Sequence, residues 1–242
     1  MNNNWNFYAN YAKGRRSPVV NADASGVTVT KAEIVDSYDL GVKYQSPNFT
    51  FTGAVFTYQY SDYQQSYTDA ETLQSITVTV GDSTMSGIEG MATYHYSDTL
   101  SFTTSLGFLD AEFADDTADG TPFQYGGNKF RLAPEVSGAI NINKLVEMDN
   151  WLLDFNWLTS FQSKVYFESS NYPGLWQDTY SLTDVSMKVS KDNSPFAFEL
   201  YVDNLLDKEY LIDAGNTGGG LGIPTFVRGM PRIAGVRLYY DF

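Results

Sequence analysis

Apolar and polar residues alternate along most of this chain. Over residues 232–242, Ala234, Val236, Leu238, Tyr240 and Phe242 take the even positions, with Gly235, Arg237, Tyr239 and Asp241 between them. Period two marks a strand with two unlike faces. The same pattern predicts strands at about residues 5–13, 33–44, 49–64, 87–96, 100–113, 129–143, 151–165, 180–190 and 196–203, ten with the last. The seventh is the clearest: Trp151, Leu153, Phe155, Trp157, Phe161 and Val165 alternate with Asp154, Asn156, Ser160, Gln162 and Lys164. In the third, Ala54, Phe56, Tyr58 and Tyr60 share a face. In the eighth, Tyr180 and Leu182 are out of phase with Val185, Met187 and Val189, which predicts a bulge near Thr183–Asp184. No amphipathic helix is predicted.

These strands are long against a globular mode of about 5–6 residues. A tilted strand of about 9–11 residues crosses a bilayer, with lipid on one face and a polar lumen on the other. The links between strands alternate strictly. They are short at residues 45–47, 97–99, 144–150 and 191–195, and long at 14–32, 65–86, 114–128, 168–179 and 204–230. Short periplasmic turns alternating with long extracellular loops characterise outer-membrane barrels. The expected fold is therefore all-β: an antiparallel up-and-down transmembrane β-barrel of about ten strands, either part of a larger barrel or a small closed one. Both chain ends fall on the periplasmic side.

Composition narrows the function. The chain has 242 residues, 16% of them aromatic, and no cysteine, which removes disulfides, Cys-based metal sites and thiol nucleophiles. No run approaches the roughly 18 apolar residues of a transmembrane helix. A net charge of −14 argues against nucleic acid as a partner. The N-terminal stretch MNNNWNFYANYAKG has neither a basic nor an apolar region of the kind a signal peptide carries.

Several stretches resemble TonB-dependent outer-membrane receptors. YVDNLLDKEY (Tyr201 to Tyr210) resembles a late-strand motif of that family, and GMPRIAGVRLYYDF (Gly229 to Phe242) resembles its terminal motif. FYANYAKGRRSP, KAEIVDSYDLGVKY, FTGAVFTYQYSDYQ and SGIEGMATYHY match, in order, strand patterns of such barrels. The resemblance implies a bacterial outer-membrane protein that takes up a scarce ligand such as a ferric siderophore. It implies no enzymatic activity and no cofactor. The family's barrel has about 22 strands around a plug. Residues 1–242 are expected to form a single C-terminal barrel segment, without plug domain or signal peptide. The expected partners are outer-membrane lipid, the barrel assembly machinery, an extracellular ligand, and TonB only through a plug domain. A self-contained ten-stranded barrel acting as a hydrolase or passive pore is the alternative.

Candidate chemistry is sparse. Arg131, Glu135, Lys164, Glu199 and Arg237 are expected to face the lumen. Arg15 and Arg16, at the mouth of the first long loop, are candidate contacts to an anionic ligand. Leu238, Tyr240 and Phe242 match, by resemblance, the signal read by the assembly machinery. His95 is the only histidine and lies beside a short turn, far from an extracellular rim where a surface hydrolase would act. The acidic stretch 110–121 has EF-hand-like spacing at Asp115, Asp119 and Gly120, but position three is Thr117 and position twelve is Gly126, so the calcium pattern fails. GNTGGGLG (Gly215 to Gly222) lacks the following GK[ST] of a phosphate loop. No metal site and no catalytic set is expected.

Overall fold

The computed structural model describes residues 4–23, 26–68, 74–114, 125–215 and 223–241. Ten long strands form one antiparallel sheet. In spatial order they are β1 (Trp5–Arg16), β4 (Glu33–Gln45), β5 (Phe49–Thr68), β6 (Ser75–Ser97), β7 (Leu100–Phe113), β8 (Val136–Met148), β9 (Trp151–Gln162), β12 (Tyr180–Lys191), β13 (Phe196–Asp203) and β16 (Ile233–Tyr240). Three small hairpins rise from the long links: β2–β3 (Val20–Asp23, Gly26–Val29), β10–β11 (Val165–Tyr166, Trp176–Gln177) and β14–β15 (Leu211–Gly215, Thr225–Arg228). Sequence neighbours in the large sheet are spatial neighbours, as an up-and-down wall requires. The edge strands β1 and β16 each have one partner, so the sheet is open. Closure of ten strands on themselves is not the arrangement.

The two faces differ in chemistry. One face carries Phe7, Leu40, Val55, Ile88, Leu106, Ile140, Phe155, Phe198, Val236 and Leu238, all exposed. The other carries Asn10, Asp39, Glu89, Thr103, Asn141, Asn156, Lys188, Glu199 and Arg237, linked strand to strand by register. A sheet whose apolar face is unburied while its polar face is networked is inverted relative to a soluble fold. The polar network is built from cross-strand pairs: Asn143 Nδ2 donates to Asp154 (2.6 Å), and the Thr93 and Thr103 hydroxyls are 3.0 Å apart.

Rings cover the glycines on this wall. Tyr8 lies over Gly41, Phe56 over Gly87, Phe161 over Gly138 and Tyr201 over Gly235, each pair directly opposed in register. A Cβ at any of these glycines would collide with the ring. An aromatic laid across an opposing glycine fills the space that a side chain would otherwise occupy.

Buried apolar residues collect under the long links instead of between sheet layers. One cluster holds Val80, Ala111, Phe113, Tyr125 and Phe130, with Tyr63 packed against it. The other holds Val165, Phe167, Leu175 and Ala214.

Four sequence expectations are corrected. The link at 65–86 is not a loop through most of its length, because β5 and β6 run on as a ladder to Thr68 and Ser75. The β-prone run SITVTV supports that extension. Strand β8 begins at Val136, not near 129, and continues to Met148, leaving a two-residue turn at Asp149–Asn150. Pro134 supplies no N–H, and Leu132 adopts φ 55°, so residues 131–135 cannot continue the ladder. Strand β9 stops at Gln162, short of the expected 165. No bulge occurs at Thr183–Asp184: β12 pairs with β9 in unbroken register from Tyr180 to Lys191. The apolar Tyr180 and Leu182 share the polar-face parity of Lys188, and Tyr180 stacks on Tyr210 of the last long link, 4.8 Å between ring centres.

Candidate ligand site at the long-link end

The short turns cluster at one end of the sheet and the long links at the other. At the long-link end the backbone irregularity at Asp62 (φ 55°) breaks the β5–β6 register and brings Tyr63 beside Tyr60. Their rings meet edge-on at 5.5 Å, and Tyr63 also packs on Phe113 and Phe130. Arg16 shares the polar-face parity of Gly14 and pairs in register with Glu33. Its guanidinium donates to the Gln64 carbonyl (3.3 Å) and lies 4.0 Å from the Glu33 carboxylate. Arg131 lies 3.9 Å from Asp213 on β14. Both arginine side chains are half exposed, and their ion-pair contacts are long. Each guanidinium therefore keeps donors for a third partner. Half-exposed guanidiniums with spare donors suit an anionic partner.

Gln64 is the hub beneath this surface. It is 3% exposed, its Nε2 donates to the Ser17 and Lys31 carbonyls (3.1 and 2.8 Å), and its N–H donates to Glu33 (2.7 Å). It thus ties the β2–β3 link to β4 and β5. Asn21 extends the tie through both polar atoms to the backbone of Thr77.

Lys129 anchors the next link. Its ammonium reaches Asp110, Glu112 and Glu135 at 2.8, 3.2 and 3.3 Å. Hydrogen bonding to Asp110, then to Glu112 and Glu135, holds it above the ordinary lysine value, against the opposing effect of burial. Burial raises the Tyr125 phenol.

The remaining sequence candidates divide. Glu199 and Arg237 sit on the polar face and pair at 3.1 Å. Arg131 and Glu135 stand in the link before β8, at the rim. Lys164 lies between β9 and β10, its ammonium 4.0 Å from the Trp176 ring centre and 4.6 Å from that of Tyr166. Arg15 has the apolar-face parity of Lys13 and Tyr11, so the structure separates it from Arg16. His95 pairs in register with Ser101 beside the turn at 98–99. Leu238 and Tyr240 lie on the apolar face, Tyr240 against Phe196 at 4.9 Å. Phe242, residues 115–121 of the acidic stretch and residues 216–222 of the glycine-rich stretch lie outside the described residues. Sequence reading missed Tyr60, Tyr63 and Gln64 as a group, because only the register break at Asp62 brings them together.

An open antiparallel sheet with an unburied apolar face, a hydrated opposite face and long links at one end is part of the wall of an outer-membrane β-barrel. The family model for the TonB dependent receptor-like β-barrel matches residues 1–205, and the chain belongs to that family. Its members are outer-membrane transport receptors. The chain is 23% identical over 216 residues to the pesticin receptor of Yersinia pestis, a match covering 87% of this chain and 30% of that protein. It superimposes over 100% of its length on 36% of the ferric yersiniabactin uptake receptor FyuA from Yersinia pestis, with a TM-score of 0.83 and 22% identity. The ferric preacinetobactin receptor BauA from Acinetobacter baumannii gives a TM-score of 0.75 at 19% identity, covering 99% of this chain and 34% of BauA. The chain thus spans about a third of the length of these relatives.

Proposed function

We propose that these ten strands are the C-terminal part of the wall of an outer-membrane receptor that takes up a ferric siderophore. The observation that carries the reading is the family match over residues 1–205, combined with the apolar-out, polar-in sheet. The ferric-complex receptors among its structural relatives support the substrate class. In this reading the wall contributes shape, hydration and ligand contacts, and no chemistry. Arg16 and Arg131, with Tyr60 and Tyr63, contact the ligand at the extracellular mouth. Glu199 and Arg237 line the lumen. Lipid covers the apolar face, the assembly machinery reads the Leu238, Tyr240 and Phe242 terminus, and TonB acts only through a plug domain.

The test is uptake in the native host under iron starvation, with a panel of radio-iron siderophore complexes that includes ferric yersiniabactin. Deleting the gene should abolish uptake of at least one complex. Restoring it with Arg16→Ala and Arg131→Ala together should return the protein to the membrane without restoring that uptake. Undiminished uptake of every complex in the deletion strain would contradict the proposal.

A further inference from the structure

We infer that Asn171 is the positioning residue for Arg131, an inference that rests on the ligand-site reading above. Asn171 lies in the β10–β11 link and adopts φ 48°, a left-handed conformation that asparagine tolerates better than most residues. Just after it, Leu175 N–H donates to the Tyr172 carbonyl (3.1 Å) across Pro173–Gly174, with Gly174 at φ 92°. Proline followed by a positive-φ glycine is the signature of a type II turn, and it fixes the direction of the segment carrying Asn171.

The carboxamide of Asn171 closes a reciprocal pair with the backbone of Lys129. Its Oδ1 accepts from Lys129 N–H at 2.8 Å, and its Nδ2 donates to the Lys129 carbonyl at 2.9 Å and to the Glu168 carbonyl at 3.2 Å. This is the bonding that a neighbouring strand would offer one residue. On the opposite side Lys129 forms an isolated bridge with Glu112, and Phe130 N–H donates to the Ala111 carbonyl at 3.0 Å. Residues 129–130 are therefore held between β7 and a side-chain amide acting in place of a strand.

Arg131 follows directly. Its own side chain is half exposed and, among the described residues, its ion pair is a long one, to Asp213 at 3.9 Å. The side chain cannot fix itself, so its location at the mouth follows from the backbone on which it stands. Leu132 N–H donates to the Tyr166 carbonyl at 2.8 Å, a second tie between the same two links that leaves the hairpin docked when Asn171 is lost. Loss of the carboxamide should thus loosen residues 129–131 without unfolding the rim.

Residues 1–242 contain no cysteine, so in the full-length receptor, with any cysteine outside them replaced, a single spin label can be placed at Arg131→Cys, with a wall label at Ser190→Cys as control. Asn171→Ala should raise the mobility of the label at 131 and leave that at 190 unchanged. Asn171→Asp, which keeps the acceptor and loses the donor, should fall between. In the unlabelled receptor, Asn171→Ala should weaken retention of ferric yersiniabactin about tenfold while leaving uptake at saturating probe unchanged. Equal label mobility at 131 with and without Asn171 would overturn the inference. If Arg131→Ala leaves probe retention intact, the ligand-site reading fails, and with it the assignment of Asn171 to that site. If Arg131→Ala weakens retention and Asn171→Ala does not, only the positioning role fails.

Discussion

Glu199 and Arg237 face each other across the β13–β16 ladder, with the guanidinium Nη1 3.1 Å from the carboxylate Oε2. The Tyr239 hydroxyl donates to the same oxygen, and the guanidinium lies over the Tyr201 ring at 3.9 Å. The Glu199 carboxylate takes both donors on one oxygen, so removing Arg237 takes away its charge partner. Arg237→Ala should lower unfolding stability in detergent. Glu199→Gln, which keeps an acceptor for Tyr239, should cost less. Chemical denaturation followed by tryptophan fluorescence checks both, and equal costs would show that leaving the carboxylate without its cation carries no extra penalty.

Lys129 joins three carboxylates from two sides of one link. Lys129→Met should raise hydrogen exchange across residues 125–135 at neutral pH and leave the wall strands protected. The folded value of this lysine lies above the ordinary 10.5, so its contribution is complete below the ordinary value and is lost as pH climbs through the raised one. Protection factors, corrected for the intrinsic pH dependence of exchange, that already fall between neutral and mildly alkaline pH would contradict this assignment.

The ring of Tyr8 occupies the space above Gly41 on the edge pair β1–β4. Gly41→Val should displace that ring and cost about 1–3 kcal/mol by overpacking. Tyr8→Ala combined with Gly41→Val should recover part of the loss, since the new side chain then fills the vacated space. Additive losses in the double variant would show that ring and glycine are independent.

Phe113 is 1% exposed and central to the aromatic cluster beneath the β5–β6 and β7–β8 links. Phe113→Ala should destabilise that cluster by about 3–5 kcal/mol. The effect should appear as protease sensitivity in the links, with most of the wall intact, because the cluster gathers at the long-link ends of β6 and β7. Global loss of the barrel would instead make the cluster part of the wall's own stability.

The wall was largely legible from period-two alternation. Strand β7 has the bounds that its pattern indicates, Leu100–Phe113, and the alternation of short and long links orders the strands correctly. The pattern failed where alternation continued past the ladder. Lys129–Glu135 alternates as well as any strand, yet Pro134 and the left-handed Leu132 end the pairing. It also failed where apolar residues face inward: Phe56 and Tyr58 cover a glycine and meet Asp39, and Tyr180 stacks on a distant link. The rim site was half legible. Arg16 stood out as a basic residue beside a long link, but its separation from Arg15 is a matter of strand parity, and its contact with the Gln64 carbonyl depends on tertiary folding.

The most direct measurement is cysteine accessibility on β13 and β16 in intact outer membranes, with any cysteine outside residues 1–242 replaced, since these residues contain none. Single cysteines at Phe198, Leu200, Val236 and Leu238 should resist a charged maleimide and be quenched by lipid-borne probes, whereas cysteines at Glu199 and Arg237 should react with the maleimide. Equal labelling on both faces, or the reverse pattern, would contradict an apolar-out, polar-in barrel wall.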